Sequence, residues 1–511
     1  MSNLSDLIPA GASAKQLTFT DSGSGITTKK PVILKSDGTV AQVAIGAAAL
    51  DSVEGEFNDA SSSASNTGDT SSVRAMYNSD EDRVYFFWHY SATIWYSSGT
   101  YNGTSWSFGS AVNSTKACST SSGLSIDVAY DSSEQKGIIV WEDGTGHASR
   151  SVRAALLTFS SGTVTWVDSG TQLDYYSLLP SVASDNNGTF MVFYEQYPNN
   201  ESHVIKGTIS GASVTYQSTV TVNANGGYYT QYPSIYVAEK SRYLVVTLNS
   251  SGAIICSVVQ DNAGTTPTVE SNTTISNLAS GGTEAKSIAY DPTAETIMVF
   301  GQNATPYPLV QACTFTGSNN AVTQVGSAVV LKSATIANQL MALKSQNNSG
   351  AAQTLVTLSF SSTSTPSQYL VLSGTTPTIS VSPTDLYSDT TNTFQDLTEG
   401  PTGTGRVYIA VYGSQTSGSF VINDGYAQTY TMPVANLTAT NFVGIADSAI
   451  SASAAGSIIV QGGTISGLSS LTTGSSYYVQ TDGTFSTSAG DPSVKAGLAI
   501  STTSLLLNGD S

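Results

Sequence analysis

One pattern of sequence recurs seven times along this chain of 511 residues. In each copy an apolar run ends at a polar residue, a short turn follows, and a second apolar run begins. The polar residues that end the first runs are Asn78, Asp131, Asp185, Glu239, Asp291, Lys344 and Glu399. Neighbouring members of this series are 52 to 55 residues apart. A fixed period of this length predicts one structural unit repeated seven times.

The apolar runs have the composition of β-strands. The second runs, such as "GIIVW" from Gly137 and "FMVFY" from Phe190, are β-branched and aromatic, which is typical of strands buried on both faces. A third run and a weaker fourth run complete each unit, the fourth being, for example, "SVTYQST" from Ser213 or "AQTYTMP" from Ala427. Four strands in roughly 50 residues without a helix are typical of a propeller blade. We therefore expect an all-β protein with a seven-bladed β-propeller over residues 56–436.

An open array of β-sandwich modules is the alternative fold. Such a module usually needs about 100 residues, roughly twice the observed period. A single blade cannot bury both of its faces, so each copy is expected to pack between its neighbours. Closing the ring would then cover the faces that remain exposed at the two ends of the series.

The composition excludes several classes of protein. Charged residues are only 11% of the chain, and the Glu, Lys, Leu and Ala stripes of long helices are absent. The 36 acidic and 18 basic residues give a net charge of −18, which argues against nucleic-acid binding because that needs clustered Lys and Arg. The three cysteines, Cys118, Cys256 and Cys313, are odd in number and widely spaced, which indicates buried apolar side chains rather than disulfides or a zinc site.

The first residues, "MSNLSDLIPAGASAKQ", lack the basic start and the apolar core of a secretory signal. No window of the sequence reaches the length of a transmembrane helix, so we expect synthesis in a cytoplasm and no membrane insertion. The composition, rich in Ser, Thr, Asn and Tyr, is nevertheless typical of an extracellular surface. Release by cell lysis, as part of a virus particle, would reconcile these two observations.

The two ends of the chain do not follow the period. Residues 1–55 and 437–511 contain strand-like runs with the Asp-Gly hairpin signals "SDGTV" at Ser36 and "TDGTF" at Thr481. The first segment alone is too short to form a core, whereas both together supply about 100 residues. We expect them to fold as one small β-domain into which the propeller is inserted.

A frame of terminal segments brackets the repeats. It consists of "PVILKSDGTV" near the start, "NFVGIADSAIS" and "GLSSLTTGSSYYVQTDGTFSTS" after the repeats, and the ending "VKAGLAISTTSLLLNGD". With repeats such as "AYDSSEQKGIIVWEDG" between them, these segments resemble virion structural proteins of marine tailed bacteriophages. The resemblance covers most of the chain. It implies a non-enzymatic tail fibre, head fibre or capsid decoration on the virion surface, attached to capsid, neck or tail proteins through the terminal domain.

Catalysis has little support in the sequence. The three histidines, His89, His147 and His203, have no spacing typical of a metal site or a catalytic triad. Asp127 and Asp396 are acids on or beside first strands, far apart in the chain, and a solvated channel lining is the simpler interpretation. The segment "SDNNGTF" from Ser184 is a degraded form of the structural Asp-box turn. We expect no enzyme activity, no cofactor and no metal, with a propeller-type glycoside hydrolase as an alternative function.

Two clusters of tyrosine are the candidate binding residues. They are "DYYSLLPS" and "GGYYTQYPS", each just before the first strand of a blade, and their site residues are Asp174, Tyr175, Tyr176, Tyr228, Tyr229 and Tyr232. Such rings could stack on sugars while hydroxyl groups and Asp174 form hydrogen bonds, although rings that only pack between blades remain the alternative.

The expected function is a virion surface protein that presents a propeller for contact with host-surface glycans. The expected partners are other virion proteins, these glycans, and further copies of the chain in a homo-oligomer. A purely architectural decoration protein without a ligand is the competing class.

Overall fold

The protein is described here by a computed structural model. The described residues are 16–46, 49–51, 55–58, 73–90, 92–118, 126–144, 150–167, 170–224, 226, 232–278, 287–292, 294–302, 307–317, 320–333, 336–342, 353–360, 368–373, 377–386, 393–401, 404–417, 420–432, 435–490 and 492–508. Across these ranges the secondary structure consists of β-strands and one 3₁₀ turn, Ala238–Lys240. The predicted all-β class is confirmed. No helix in these ranges is long and apolar enough to cross a membrane.

The chain divides into two compact units. The first unit draws on both ends of the chain, chiefly Met1–Ala48 and Met432–Ser511, and the second comprises most of Ala49–Thr431. The corresponding boundaries predicted from the sequence were 55/56 and 436/437. The difference at the first boundary arises because short strands between residues 49 and 58 pair with a strand of the second unit.

Within its described residues, the first unit contains two five-stranded antiparallel sheets. Its strands are β1 (Gln16–Thr20), β2 (Pro31–Leu34), β3 (Val40–Gln42), β37 (Phe442–Ala446), β38 (Ala455–Val460), β39 (Thr464–Ser466), β40 (Ser476–Val479), β41 (Phe485–Ser486), β42 (Val494–Ser501) and β43 (Ser504–Leu507). One sheet has the order β1-β38-β37-β2-β3 and the other the order β39-β43-β42-β40-β41. The first sheet curls until Asp21, directly after β1, forms a parallel bridge with Val40 at its opposite edge.

Alternating side chains place apolar residues on both faces of the curled sheet. Val32 and Val443 belong to a core inside the curl, whereas Ile33 and Ile445 pack with residues of the second sheet, such as Val479. The Asp-Gly signals at Asp37 and Asp482 form the turns of the β2–β3 and β40–β41 hairpins, as predicted.

The second unit contains seven antiparallel sheets within the described ranges, numbered here 1 to 7 along the chain. Sheet 1 is formed by β6 (Val73–Asn78), β7 (Arg83–Tyr90), β8 (Thr93–Tyr101), β9 (Trp106–Phe108) and β10 (Val112–Ala117); sheet 2 by β11 (Ile126–Asp131), β12 (Lys136–Asp143), β13 (Ser151–Ser160), β14 (Thr163–Trp166) and β15 (Thr171–Tyr175); sheet 3 by β16 (Ser177–Ser184), β17 (Thr189–Gln196), β18 (Glu201–Ser210), β19 (Ser213–Tyr216) and β20 (Val220–Asn223). Sheet 4 is formed by β21 (Ser234–Val237), β22 (Arg242–Leu248), β23 (Ile254–Gln260) and β24 (Thr268–Thr274); sheet 5 by β25 (Ser287–Asp291), β26 (Thr296–Gln302), β27 (Pro308–Thr316), β28 (Ala321–Gln324) and β29 (Val329–Val330); sheet 6 by β30 (Ile336–Ala342), β31 (Gln353–Phe360), β32 (Gln368–Ser373) and β33 (Thr378–Asp385). Sheet 7 is formed by β34 (Thr393–Glu399), β35 (Arg406–Ser417) and β36 (Phe420–Thr431) with β4 (Ala49–Leu50) and β5 (Gly55–Asn58).

Sheet 7 therefore combines both ends of the second unit. Strand β36 pairs with β35 on one side and with β4 and β5 on the other. The sequence interpretation placed a fourth strand at Ala427. This is corrected, because Ala427 lies within the long third strand, where it faces Gly55 of β5.

The first strands of the seven sheets contact one another in chain order, and β34 of sheet 7 contacts β6 of sheet 1. Hydrogen bonds connect these two strands directly, from Ala75 N to Asp396 Oδ2 at 2.8 Å and from Tyr77 N to Thr398 Oγ1 at 3.1 Å. The series of sheets thus closes on itself.

Apolar cores lie between consecutive sheets. Val140 of sheet 2 and Val192 of sheet 3 belong to one core, and Trp88 of sheet 1 and Tyr408 of sheet 7 belong to another. Phe57 of β5 stacks on Phe86 in that second core, with ring centroids 4.3 Å apart. A sheet buried on both faces explains why the second apolar run of each copy is uninterrupted rather than alternating.

The recurring polar residue forms a turn at the end of the first strand. Asp131 is fully buried, and its Oδ1 accepts hydrogen bonds from the backbone of Ser133 and Glu134. Its Oδ2 accepts hydrogen bonds from Ser184 Oγ and Gly188 N of sheet 3. Asp131 therefore both fixes its own turn and connects two sheets. Of the seven members of the series, Lys344 lies outside the described residues.

Candidate functional site

Two adjacent tyrosines are exposed between sheets 2 and 3. Tyr175 is the last residue of β15 and is 69% exposed, and Tyr176 follows it at 49%. Strand β15 pairs with β13, so the tyrosines leave the edge of sheet 2 just before the chain enters β16. Tyr176 has a φ of 54°, in the left-handed region that residues with a side chain seldom adopt. This backbone conformation fixes how the two rings leave the chain.

Asp174 holds the segment that carries these rings. Its Oδ1 accepts a hydrogen bond from Tyr175 N at 2.8 Å, and its Oδ2 accepts one from the hydroxyl of Tyr194 at 2.9 Å. The carbonyl of Asp174 accepts a third hydrogen bond from Ser177 Oγ at 2.9 Å. Tyr176 O accepts a hydrogen bond from Tyr197 N at 2.7 Å. The exposed rings are therefore presented by a fixed stretch of backbone.

Polar side chains of sheet 3 lie behind Asp174. Burial raises the pKa of Tyr194, so its hydroxyl stays protonated and donates a hydrogen bond to Asp174 Oδ2. The ring of Tyr194 meets that of His203 edge-on, with centroids 5.7 Å apart. His203 Nε2 lies 3.0 Å from Glu201 Oε2. This set of contacts connects Asp174 to β17 and β18.

The second tyrosine cluster is placed differently. Tyr232 is fully buried, and its ring belongs to the core between sheets 3 and 4. Ser181 Oγ donates a hydrogen bond to Tyr232 O, which connects the first strand of sheet 3 to the start of sheet 4. Tyr228 and Tyr229 lie outside the described residues. Among the described members of the predicted site, the structure brings together Asp174, Tyr175 and Tyr176 and places Tyr232 in the core.

A second set of polar residues joins the first strands of sheets 7, 1 and 2. Arg74 is buried in sheet 1, and its Nε lies 3.0 Å from Asp127 Oδ1. Asp127 Oδ2 accepts a hydrogen bond from Val182 N of sheet 3 at 2.8 Å. Asp396 accepts its hydrogen bond from Ala75 N, the residue next to Arg74. We call Arg74, Asp127 and Asp396 the closing cluster.

Burial has the largest effect on the pKa of both carboxyl groups in the closing cluster. Burial raises the pKa of Asp396 to about 7, against the opposing effect of Arg74. Burial also raises the pKa of Asp127, where Arg74 and the amide of Val182 oppose it. The expectation of a solvated channel lining is corrected for Asp396, which is only 7% exposed. Because each carboxyl has one oxygen engaged by a backbone amide of a neighbouring sheet, the cluster connects sheets.

Sequence reasoning did not identify Arg74 as a member of this cluster. Asp396 and Arg74 are far apart in the chain and become neighbours only because sheet 7 contacts sheet 1. The repeat does contain a signal for this contact. Asp396 and Ala75 occupy equivalent positions in their copies, because each lies three residues before the recurring polar residue, Glu399 and Asn78 respectively.

The remaining candidates from the sequence are the histidines and the "SDNNGTF" segment. His89 is buried in β7, and His147 lies outside the described residues. In the "SDNNGTF" segment, Asp185 Oδ1 accepts hydrogen bonds from Asn187 N and Thr189 N, which is the geometry of a turn. Across the ranges that the structure describes, no group of three or more His, Cys, Asp or Glu side chains is arranged to hold a metal ion.

No protein-family signature and no curated protein sequence matches this chain. Several solved structures are similar to it. AofleA from Arthrobotrys oligospora is 9% identical, with 70% of this chain and 94% of that chain covered and a TM-score of 0.42. A fucose-specific lectin from Aleuria aurantia is 12% identical, with 61% and 96% covered and a TM-score of 0.38. A protein from Lactobacillus plantarum is 12% identical, with 68% and 98% covered and a TM-score of 0.43. At these identities and TM-scores, what such proteins bind does not transfer to this chain.

Proposed function

We propose that the second unit is a seven-bladed β-propeller and that it contacts glycans through Tyr175 and Tyr176. The observation that carries the proposal is the exposure of two neighbouring tyrosines, 69% and 49%, on a backbone segment fixed by Asp174. An exposed aromatic face with hydroxyl groups beside it suits the apolar face and hydroxyl rim of a sugar ring. The proposal of seven blades is supported by the seven sheets and by the contact of sheet 7 with sheet 1.

A single contact of this kind is weak. Stacking of one aromatic ring contributes on the order of 1 kcal/mol, so two rings give a small free energy of binding before the cost of association. Useful attachment then requires many copies acting together, as on the surface of a particle. This requirement agrees with a protein that is displayed in multiple copies.

The test of glycan contact is a binding assay on multivalent display. The intact protein would be immobilised at high density and probed with glycan-coated beads. The double change Tyr175→Ala with Tyr176→Ala is expected to reduce bead retention about tenfold or more, because both stacking rings are lost. Tyr175→Phe with Tyr176→Phe retains the rings and most of the binding. Ile500→Ala, at an exposed apolar side chain of the first unit, serves as the control. Equal retention by the alanine variant and the parent protein would show that these tyrosines are not the contact.

We further propose that the first unit attaches the protein to a bacteriophage particle. The support is the resemblance of its segments, from "PVILKSDGTV" to "VKAGLAISTTSLLLNGD", to virion proteins of marine tailed phages. Mass spectrometry of purified particles and electron microscopy with antibody against the intact chain would locate it on head or tail. A purely architectural role would appear as particle binding without glycan binding, and a hydrolase would appear as release of sugar from the beads. Absence of the protein from purified particles would refute this assignment.

A further inference from the structure

Two acidic side chains lie close to the exposed Tyr175 and Tyr176. Both oxygens of the Asp174 carboxylate are held by neutral donors, the amide of Tyr175 and the hydroxyl of Tyr194. Glu201 adds a second acid behind them, in contact with His203. A carboxylate held by neutral groups keeps its field toward the adjacent surface, because no basic side chain among the described residues is paired with it.

Three basic residues of the flanking strands and their connections have acidic partners. Arg150 Nη1 lies 3.0 Å from Glu142 Oε1, and both side chains are buried. Arg153 is paired with Asp143, with 2.6 Å between Nε and Oδ2. Lys206 of β18 contacts Asp261. The charge of each of these cations is thus balanced by a neighbouring carboxylate.

Lys136 of sheet 2 is remote from the tyrosines. Ser151 pairs with both Asp143 and Tyr175, so the tyrosines lie beside the Asp143 end of β12. Lys136 begins β12 and therefore lies at its opposite end, roughly 23 Å away at the rise of an extended strand. Such a separation is more than two Debye lengths at physiological ionic strength. Within the described parts of sheets 2 and 3, the charge beside the tyrosines is therefore negative.

We infer that this site, if it is the glycan contact proposed above, takes uncharged sugars and rejects glycans that carry carboxylate or sulfate groups. An anionic group on a sugar stacked over Tyr175 would lie within several ångströms of Asp174. At such a separation near a protein surface, like-charge repulsion weakens binding by a factor on the order of ten, and salt screens it. Uncharged sugars experience no such repulsion and gain hydrogen-bond acceptors and donors at the rim.

The experiment uses pairs of glycans that differ only in charge. Glucose and glucuronic acid, galactose and 3-sulfogalactose, and lactose and sialyllactose would be coupled at equal density to albumin and measured against the intact immobilised protein. The uncharged member of each bound pair is expected to bind about tenfold more tightly in roughly 50 mM salt. The ratio is expected to fall toward unity in roughly 500 mM salt, since screening relieves only the repulsion of the anionic member.

Asp174→Asn separates the charge from the shape of this side chain. The amide oxygen can still accept the hydrogen bond from Tyr175 N. The new NH2 group cannot accept from Tyr194, but the Tyr194 hydroxyl retains Thr219 Oγ1 at 3.2 Å as a partner, so the segment can remain in place while the charge is removed. The ratio of uncharged to anionic binding is expected to fall severalfold in this variant. The control is Asp482→Asn, which makes the same change of charge at an exposed turn of the first unit and should leave the ratio unchanged. Tryptophan fluorescence would verify the fold of Asp174→Asn in the second unit, and far-ultraviolet circular dichroism would verify that of Asp482→Asn in the first unit, which has no tryptophan.

Two failures are distinguishable. If no glycan of either class binds, the proposed function is wrong and this inference falls with it. If glycans bind through the tyrosines with no preference by charge, or if Asp174→Asn changes the ratio no more than Asp482→Asn does, only the inference on ligand class is overturned.

Discussion

Replacing Asp396 by asparagine tests whether a buried carboxyl makes the contact between sheets 7 and 1 sensitive to pH. Asp396 is 7% exposed, and its Oδ2 accepts a hydrogen bond from Ala75 N at 2.8 Å. Asparagine preserves an oxygen acceptor at this position and removes the titrating group. The variant therefore isolates the free-energy cost of ionising a carboxyl at the closing cluster.

The magnitude follows from the shift of the pKa. Burial raises the pKa of Asp396 to about 7 from a reference of 3.8, so the folded protein holds this proton more tightly than the unfolded chain does. The free energy of unfolding is then unaffected by this group below pH 3.8 and decreases as the pH rises from 3.8 to about 7. The slope is about 1.4 kcal/mol per pH unit, and the total is on the order of 4 kcal/mol. The asparagine side chain cannot ionise, so Asp396→Asn avoids this loss.

Chemical denaturation of the parent protein and Asp396→Asn between about pH 4.5 and 8.5 would measure the effect. All five tryptophans lie between Trp88 and Trp166, so their fluorescence reports the unfolding of the second unit. Subtracting the two curves removes the titration of the groups that both proteins share. The difference in free energy of unfolding should grow in favour of the variant by about 3 to 4 kcal/mol across this range.

A control with the opposite sign is available in the first unit. Burial opposes ionisation of Asp21, but hydrogen bonds from the amides of Gly25, Gly23 and Ser453 outweigh it and lower the pKa of this carboxyl. Asp21→Asn should therefore destabilise the first unit, with a penalty that is fully present above pH 3.8 and is lost as the pH falls below it. Far-ultraviolet circular dichroism would measure it, because the tryptophans report only the second unit. A constant difference between the parent protein and Asp396→Asn at all pH values would refute the assignment of a raised pKa to Asp396.

Three further predictions concern packing and turns. Phe57→Ala removes the ring by which β5 packs against Phe86 of sheet 1, and should lower the free energy of unfolding by about 3 to 5 kcal/mol, measured by denaturant titration. Asp131→Ala leaves several buried amide and hydroxyl donors without an acceptor, and should cost at least about 3 kcal/mol in the same assay, whereas Asp131→Asn should recover part of it. The three cysteines are buried, and burial raises the pKa of Cys313 to about 12, so a thiol reagent such as Ellman's reagent should react only as fast as the protein unfolds; fast reaction of the folded protein would contradict the burial.

The period of the sequence predicted the repeated sheets because strands buried on both faces leave a strong signal. Runs such as "GIIVW" from Gly137 contain no polar position, so they stand out in a chain that is otherwise rich in Ser and Thr. The recurring polar residue was also visible, since its side chain accepts hydrogen bonds from the backbone amides of the turn in several copies, as at Asn78, Asp131 and Asp291. The terminal Asp-Gly turns are local features and were predicted for the same reason.

Features that depend on pairing between distant parts of the chain are harder to predict from the sequence. Gly55 and Phe57 lie in a short strand without a regular alternation, and only the partner strand β36 gives them a place in sheet 7. The role of Arg74 depends on its contact with Asp127 of sheet 2 and on the contact of sheet 7 with sheet 1, and both join residues that are distant in the sequence. Likewise, composition cannot distinguish the exposed ring of Tyr175 from the buried ring of Tyr232, because both occur in short polar connections before a strand.

Sheet 7 contains strands from both ends of the second unit, and this has a consequence for the order in which the protein folds during synthesis. Gly55 pairs with Ala427, so a strand that leaves the ribosome early has no partner until almost the whole second unit has been synthesised. Closure of so long a loop is slow and depends on non-local contacts, so the last step of folding should be the docking of β4 and β5 against β36. Until then β36 and the early strands present open edges, which can pair with other chains. Synthesis at high ribosome density should therefore favour association between nascent copies, and lowering the rate of initiation should raise the yield of soluble protein.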